Sequence, residues 1–323
     1  MISRNARQQH VRNVPILFLF VVTWIIVWLT IVFDFSQDEV KRNPSDVNRM
    51  TTSISPTGRR TSSMAENDWS QITSKFSSSM LFLQMARIAY QDSQQYPKPT
   101  RRTFPGLQEW SPYMTDGGLT DQDRILLAKY YSQATSVFEY GLGESTRMAS
   151  WLRVPRYAGV DSDPNYVTKI RLRLQQDDET YASHAHFYFA DVGEITEWGM
   201  PKYPLPKNVY NYQIVPLLAE QDPFDVYLVD GRYRVACVLA AFLHAGTHVN
   251  ATVLLHDCFP PGYVASDEIE QIQIDARRFY HIVDSLLDLI EHSGSKICVY
   301  RRKSTTTNEQ LYQLWRAYAS DLS

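Results

Sequence analysis

Cysteine is scarce in this chain. Cys237, Cys258 and Cys298 are the three in 323 residues, with no Cys-x-x-Cys pair and no Cys/His spacing of the kind a zinc ion needs. That excludes a zinc ribbon and a dense disulfide framework. An odd count leaves at least one thiol free, and buried free thiols are the expectation. An excess of charge of one sign is missing too: 32 Lys and Arg stand against 35 Asp and Glu, a formal net charge of −3. Nothing electrostatic therefore points to a nucleic acid as partner. Apolar and aromatic residues are plentiful, with 44% hydrophobic residues, 20 Tyr and 7 Trp. That is enough for a sizeable core, in which most of the rings are expected to pack.

Charge is absent altogether from Val14–Phe33, where Thr23 and Thr30 are the only polar side chains. These twenty residues, rising about 1.5 Å each in a helix, cover about 30 Å, the hydrocarbon thickness of a bilayer. Arg4, Arg7, His10 and Arg12 precede the run; Asp34, Asp38 and Glu39 follow it. The positive-inside rule then keeps residues 1–13 as a cytoplasmic tail and sends the remainder across the membrane. The run exceeds a signal-peptide core and no small-x-small cleavage site follows it, so an uncleaved single-pass anchor is expected, with the lipid bilayer as partner through residues 14–33. Residues 34–75 are rich in Ser, Thr, Asn and Asp and poor in aliphatic clusters. Such a segment buries too little apolar area to offset chain entropy and reads as a flexible stem.

From residue 76 to 323 the pattern changes to that of one folded domain. Ser79–Asp92 and Asp121–Gln133 have helical apolar spacing, and Thr120 with Asp123 supplies a helix start. Short apolar runs then recur, at Ser136–Leu142, Tyr157–Asp163, His186–Val192, Phe224–Gly231, Ala251–Cys258 and Lys296–Arg302. Thr146–Leu152, Tyr166–Gln175, Arg234–His244 and Ile274–Glu291 lie between or after them with helical period. Strands alternating with helices predict an α/β fold, a doubly wound, Rossmann-like and mostly parallel sheet covered on both faces. Ligands of such sheets sit outside the carboxyl ends of the strands, so the strand ends carry the functional information.

The first run ends Glu139–Tyr140–Gly141–Leu142–Gly143–Glu144–Ser145–Thr146. Glycines let the backbone turn and approach a ligand, and the helix that follows offers unpaired N–H donors. A dinucleotide loop wants a third glycine where Thr146 stands, and no Tyr-x-x-x-Lys pair follows the fourth strand. Both absences weigh against an NAD-dependent oxidoreductase or epimerase. The order E-x-G-x-G-x-S-T resembles motif I of class I S-adenosylmethionine-dependent methyltransferases, which implies cofactor contacts at Glu139, Gly141, Gly143 and Ser145. Gly159–Tyr166 is similar to that family's V-E-x-D-P-x-W/Y stretch, with Asp161, eighteen residues past Gly143, as the ribose ligand. Asp163–Pro164 doubles as a helix start. Asp191, ending the third run, stands where the family meets the adenine amino group.

The fourth run ends Val229–Asp230–Gly231–Arg232–Tyr233–Arg234–Val235–Ala236–Cys237. With Glu197–Trp198–Gly199–Met200–Pro201 it resembles a largely uncharacterised branch of methyltransferase-like proteins bearing E-W-G-x-P and V-D-G-R-x-R-V-A-C. The resemblance covers a core from 119 to 303 and implies the class I methyltransferase fold and S-adenosylmethionine as cofactor, with Asp230 at its site. Glu144 departs from it, since small residues are commoner there, and so does His256–Asp257–Cys258.

Methyl transfer to oxygen needs a deprotonated hydroxyl. His256 is the natural base, with Asp230 and Asp257 as its catalytic neighbours. Alternatively, Asp230 and Asp257 hold a divalent cation that acidifies the hydroxyl. Arg232 or Arg234 binds an anionic group of the acceptor or pairs with Asp230. His184, His186, His244 and His248 read as structural. An anchor and stem ahead of a catalytic domain is the layout of Golgi glycan-modifying enzymes, so the expected acceptor is a glycan or another hydroxyl-bearing molecule in the Golgi or endoplasmic reticulum lumen. The sequon Asn250–Ala251–Thr252 falls at the start of a buried strand, a poor place for a glycan. A membrane-tethered, non-catalytic binding domain is the remaining reading. Strand-end acids at Glu139, Asp161, Asp191 and Asp230 together argue against it.

Overall fold

Thr120 opens the first long helix as its spacing predicts. The Thr120 hydroxyl accepts the Asp123 N–H (3.3 Å), while the Asp123 carboxylate accepts the Thr120 N–H (2.9 Å). Helix α1 (Asp121–Gln133) grows from that capping box. The computed structural model describes residues 100–322 apart from Asp116, Gly117, Pro204, Leu205, Gln221, Thr247 and Val249. The anchor at 14–33, the stem at 34–75 and the helix expected at Ser79–Asp92 lie outside the described residues. Among the described residues no helix is long and apolar enough to cross a membrane.

After α1 the chain alternates through β1 (Ser136–Tyr140), α2 (Glu144–Trp151), β2 (Arg156–Asp161), α3 (Pro164–Asp177) and β3 (His186–Phe189). Two short helices, α4 (Pro206–Gln213) and α5 (Val215–Glu220), lead to β4 (Val226–Val229), α6 (Arg234–Ala245) and β5 (Thr252–Leu255). The strands form one seven-stranded sheet in the order β3-β2-β1-β4-β5-β7-β6. The first five are parallel. Strand β7 (Cys298–Arg302) runs antiparallel between β5 and β6 (Leu287–His292).

Because successive strand residues point to opposite faces, each apolar run feeds two cores at once. Phe138, Tyr140, Tyr227, Val229, Val253 and Leu255 face one side, with α6 and with Leu311 and Trp315 of α8 (Asn308–Tyr318). Val137, Val226, Leu228 and Leu254 face the other, packing on α1, α2 and α3. All 12 residues of α6 are buried, as expected of a helix that is apolar nearly all round.

Two expectations are corrected. Helical period was expected over Ile274–Glu291, but α7 (Glu268–Arg277) ends early, a 3-10 stretch follows, and Leu287–His292 is β6. The short segment LDLIEH alternates inward Leu287 and Leu289 with exposed Asp288 and Ile290. That period of two wins over a helical pattern it also fits. The cysteines are not all free thiols: Cys258 and Cys298 form a disulfide, and Cys237 alone is free and buried. The pairing of Leu255 with Cys298 brings the end of β5 beside the start of β7. Asn250 is exposed in the turn before β5, although Thr252 is buried.

Candidate active site

The strand order reverses between β1 and β4, and their ends meet there. Gly141 has φ +88°, and a Cβ on it would lie 2.5 Å from the Asp230 carbonyl oxygen. A Cβ on Gly231 would overlap the Tyr212 hydroxyl and come within 3.0 Å of the Gly141 nitrogen. Both motifs need glycine at these positions because the two turns touch backbone to backbone.

Beneath the loop lies Glu139, fully buried. It accepts hydrogen bonds from Tyr131 Oη (2.7 Å), Tyr157 Oη (2.7 Å) and Thr146 Oγ1 (2.6 Å). Thr146 Oγ1 in turn accepts the Gly143 N–H at 3.0 Å. Burial pushes the Glu139 carboxyl up to about 7 against these hydroxyl donors. Glu139 therefore holds the loop from below and does not line the cavity described next, contrary to its expected place among the cofactor contacts.

Glu144, the departure in the loop, is buried as well. It accepts from Arg124 Nε (2.7 Å) and Nη2 (3.1 Å), from Trp110 Nε1 (2.8 Å) and from the Thr115 N–H (3.0 Å). A small residue there would leave the Arg124 guanidinium without its buried partner, which is why this chain carries an acid.

At the end of β2, Asp161 Oδ2 accepts the Leu142 N–H (3.1 Å) and Oδ1 accepts the Asp163 N–H (3.0 Å). Burial raises its pKa in spite of these donors. Asp163 caps α3 by accepting the Asn165 and Tyr166 N–H groups. Asp191, expected to meet the adenine, is exposed beyond β3. Its Oδ1 accepts the Gly193 N–H (2.9 Å), and it is not on the cavity wall.

The ends of β4 and β5 are joined by Arg234, the first residue of α6. Its Nη1 donates to the His256 carbonyl (2.7 Å) and to Asp257 Oδ2 (2.8 Å), its Nη2 to Asp230 Oδ1 (3.3 Å) and its Nε to the Gly231 carbonyl (3.1 Å). Arg277 Nη2, from α7, reaches Asp257 Oδ2 at 3.2 Å. Of the two arginines considered, Arg234 is thus the one that pairs with Asp230. Burial opposes ionisation of Asp257, but Arg234, His256 and Arg277 outweigh it and hold the carboxyl well below the usual range. Asp257 sits at φ +56°, a left-handed conformation that a non-glycine residue adopts only where its surroundings enforce it.

His256 is 3% exposed. Its Nδ1 lies 2.7 Å from Asp230 Oδ1, at ion-pair distance but outside good hydrogen-bond geometry, and 3.7 Å from Asp257 Oδ1. Its Nε2 is buried with no hydrogen-bond partner among the described residues. Burial lowers the imidazole pKa, but Asp230 and Asp257 together raise it above the ordinary 6.5. Among the described residues no three His, Cys, Asp or Glu side chains are grouped to hold a metal ion.

These strand ends enclose a cavity of about 820 Å³. Gly141, Gly143, Ser145 and Asp161 line one part of it, and Asp230, His256 and Asp257 another. Trp198 lines it too, at φ +61°, with its carbonyl accepting from Arg232 Nε (3.0 Å) and Nη2. Ser162 Oγ donates to the Gly199 carbonyl (2.7 Å) and latches this turn to the end of β2.

No protein-family model matches the chain, and no curated protein sequence does. Solved structures do. A methyltransferase-like protein from Silicibacter pomeroyi DSS-3 is 22% identical and superposes with a TM-score of 0.50, over 62% of this chain and 96% of its own. The fold is that of the class I methyltransferases. A methyltransferase from Geobacter sulfurreducens (15% identity, TM-score 0.38) matches over 67% of this chain and 96% of its own. The O-methyltransferase TomG from Streptomyces achromogenes (12% identity, TM-score 0.38) matches over 63% and 92%.

Within this methyltransferase fold, the structure gathers most of the residues expected from the sequence around one cavity; Glu139 and Asp191 are the exceptions. Sequence reasoning missed Gln273 and Arg277, which reach the cavity from α7. No local motif marks them. Trp198 was legible as part of E-W-G-x-P, but without a place.

Proposed function

We propose that this chain is an S-adenosylmethionine-dependent O-methyltransferase acting on a hydroxyl-bearing acceptor, a glycan or a small molecule. The observation that carries the reading is the half-buried Asp161 carboxylate, tied to the Leu142 N–H of the glycine loop and sharing a cavity with His256, whose Nε2 has no hydrogen-bond partner among the described residues. Remaining lone pairs of Asp161 suit the two hydroxyls of a ribose. The Gly141–Gly143 backbone and the start of α2 suit the rest of the cofactor, and the cavity volume is in the range of small-molecule sites. Thr146, standing where a dinucleotide loop takes glycine, is buried and bonded to Glu139, which does not favour an NAD reading.

Bound there, S-adenosylmethionine supplies an electrophilic methyl group. The chain's part is to align an acceptor oxygen and to take its proton, and alignment supplies most of the rate. His256 Nε2 accepts the hydroxyl proton while Asp230, beside Nδ1, stabilises the imidazolium that forms. Arg234 and Arg277 together neutralise the Asp230–Asp257 pair, so a divalent cation between these carboxylates would compete with guanidinium groups already in place. We further propose that the domain is held on a membrane by Val14–Phe33 and faces a Golgi or endoplasmic reticulum lumen. The apolar run supports the first part, and the Cys258–Cys298 disulfide, a bond of oxidising compartments, supports the second.

The experiment is a comparison of melting shifts of the full chain with S-adenosylmethionine and with NAD. A shift with S-adenosylmethionine alone is expected. A shift with NAD alone overturns the reading.

A further inference from the structure

Glu144 stands at the cavity wall but has nothing left to offer a ligand. It is 3% exposed. Its Oε1 accepts from Trp110 Nε1 and Arg124 Nε, and its Oε2 from the Thr115 N–H and Arg124 Nη2. That fills the capacity of a carboxylate, about four hydrogen bonds. Whatever Glu144 does for the site it does through the groups it holds.

Those groups flank residues that belong to the cavity wall. Thr115, Gly118 and Leu119 line the cavity, and a Cβ built on Gly118 would lie 3.7 Å from His256 Cε1. On one flank are Trp110 and the Thr115 N–H. On the other, past the Thr120 cap, is Arg124 in the first turn of α1. Both flanks are tied to one carboxylate, on the first residue of α2 and directly after Gly143. This part of the wall thus reaches His256 while being fastened at the glycine loop. Helix α2 grips the first flank again. Its Arg147 guanidinium carbon stands 4.6 Å from the centre of the Tyr113 ring, and Arg147 Nη1 donates to the Tyr113 carbonyl (3.3 Å). The Tyr113 ring in turn stacks on that of Trp110 at 4.7 Å. A small residue at position 144 could make none of the carboxylate's ties.

We propose that Glu144 is a positioning residue for cofactor binding: by tying Trp110, Thr115 and Arg124 to the start of α2, it fixes Thr115, Gly118 and Leu119 against the glycine loop and so strengthens the hold on the methyl donor. The identity of that ligand rests on the methyltransferase reading; the tie itself does not. A buried ion pair alone is weak evidence for more than a structural role, so the test has to separate the Arg124 pair from the ties to Trp110 and Thr115.

Two double variants of the full chain do this. Both lack the ion pair. Glu144→Leu/Arg124→Leu removes every acceptor, whereas Glu144→Gln/Arg124→Leu keeps an amide oxygen for the Trp110 and Thr115 N–H groups. Hydrogen exchange without ligand, followed by mass spectrometry of the peptide containing Thr115, reads the tie. Calorimetric titration with S-adenosylmethionine reads its consequence. Expected in Glu144→Leu/Arg124→Leu are faster exchange and about tenfold weaker binding, a loss of about 1.4 kcal/mol. The Gln-containing variant should keep its affinity within about threefold of wild type. Trp110→Phe, which keeps both charges and a ring on Tyr113, serves if Glu144→Leu/Arg124→Leu does not fold, and should bind about threefold more weakly. Equal weakening in the two double variants overturns the proposal, as does wild-type affinity in Glu144→Leu/Arg124→Leu or, in its place, in Trp110→Phe. Unchanged exchange in the folded Leu variant overturns the tie whatever the ligand. Failure of wild type to bind S-adenosylmethionine, with the exchange difference present, overturns the methyltransferase reading and leaves the tie standing.

Discussion

Replacing Glu139 with Gln should flatten the pH dependence of stability between about pH 5 and 8. Burial lifts the Glu139 carboxyl from 4.5 to about 7 in the folded chain. Below the unfolded value it is protonated in both states, and its contribution to stability is fully present. As pH rises toward and through about 7, folding requires a proton that the unfolded chain has already released, and that contribution is lost. At 1.36 kcal/mol per pKa unit the difference is about 3 kcal/mol, a large share of the ~5–15 kcal/mol by which domains are stable. Gln cannot ionise, and its amide accepts and donates among Tyr131, Tyr157 and Thr146 as the protonated carboxyl does. Urea unfolding of the full chain and of Glu139→Gln, at steps from pH 5 to 8, measures the effect directly. The wild-type curve should fall relative to the variant by about 3 kcal/mol across that range. Parallel curves would refute the placement of an ionisable Glu139 beneath the glycine loop.

Arg234→Met should cost about 3–5 kcal/mol, because it removes the buried guanidinium that bridges Asp230 and Asp257. Arg277→Met should cost less, since Asp257 keeps Arg234; thermal unfolding of the two variants gives the order. Reducing Cys258–Cys298, which closes a separation of 40 residues, should lower stability by about 4 kcal/mol in the loop-entropy picture, seen as a lower urea midpoint with dithiothreitol. If His256 is the base, kcat/KM should rise with pH through a pKa above 6.5, because only neutral imidazole takes a proton, and His256→Gln should abolish that rise.

Much of this arrangement could be read in the sequence, and the rest had physical reasons to hide. Five parallel strands and their helices were visible because each run ends in turn residues and is followed by a helical period. Glu139 was assigned to the ligand because it sits in the motif. Strand alternation instead puts it on the face shared with Val137, toward α1 and away from the cavity. The segment Leu287–His292 fits both helical and strand periods, so only its pairing with β7 decides. The Cys258–Cys298 bridge depends on β7 running back between β5 and β6, which no spacing along the chain reveals. Asp161, Asp230 and His256 were found because they are strand ends. Arg277 was not, since its position follows from the path of α7 across the cavity.

The most direct test of the central claim is calorimetric titration of S-adenosylmethionine into the full chain and into Asp161→Ala. Two hydrogen bonds from ribose hydroxyls to a carboxylate, at about 1.5 kcal/mol each, correspond to a loss of about 100-fold in affinity. The account predicts saturable binding to wild type and a loss of that size in the variant, with folding intact by circular dichroism. Equal affinity in both chains would contradict it.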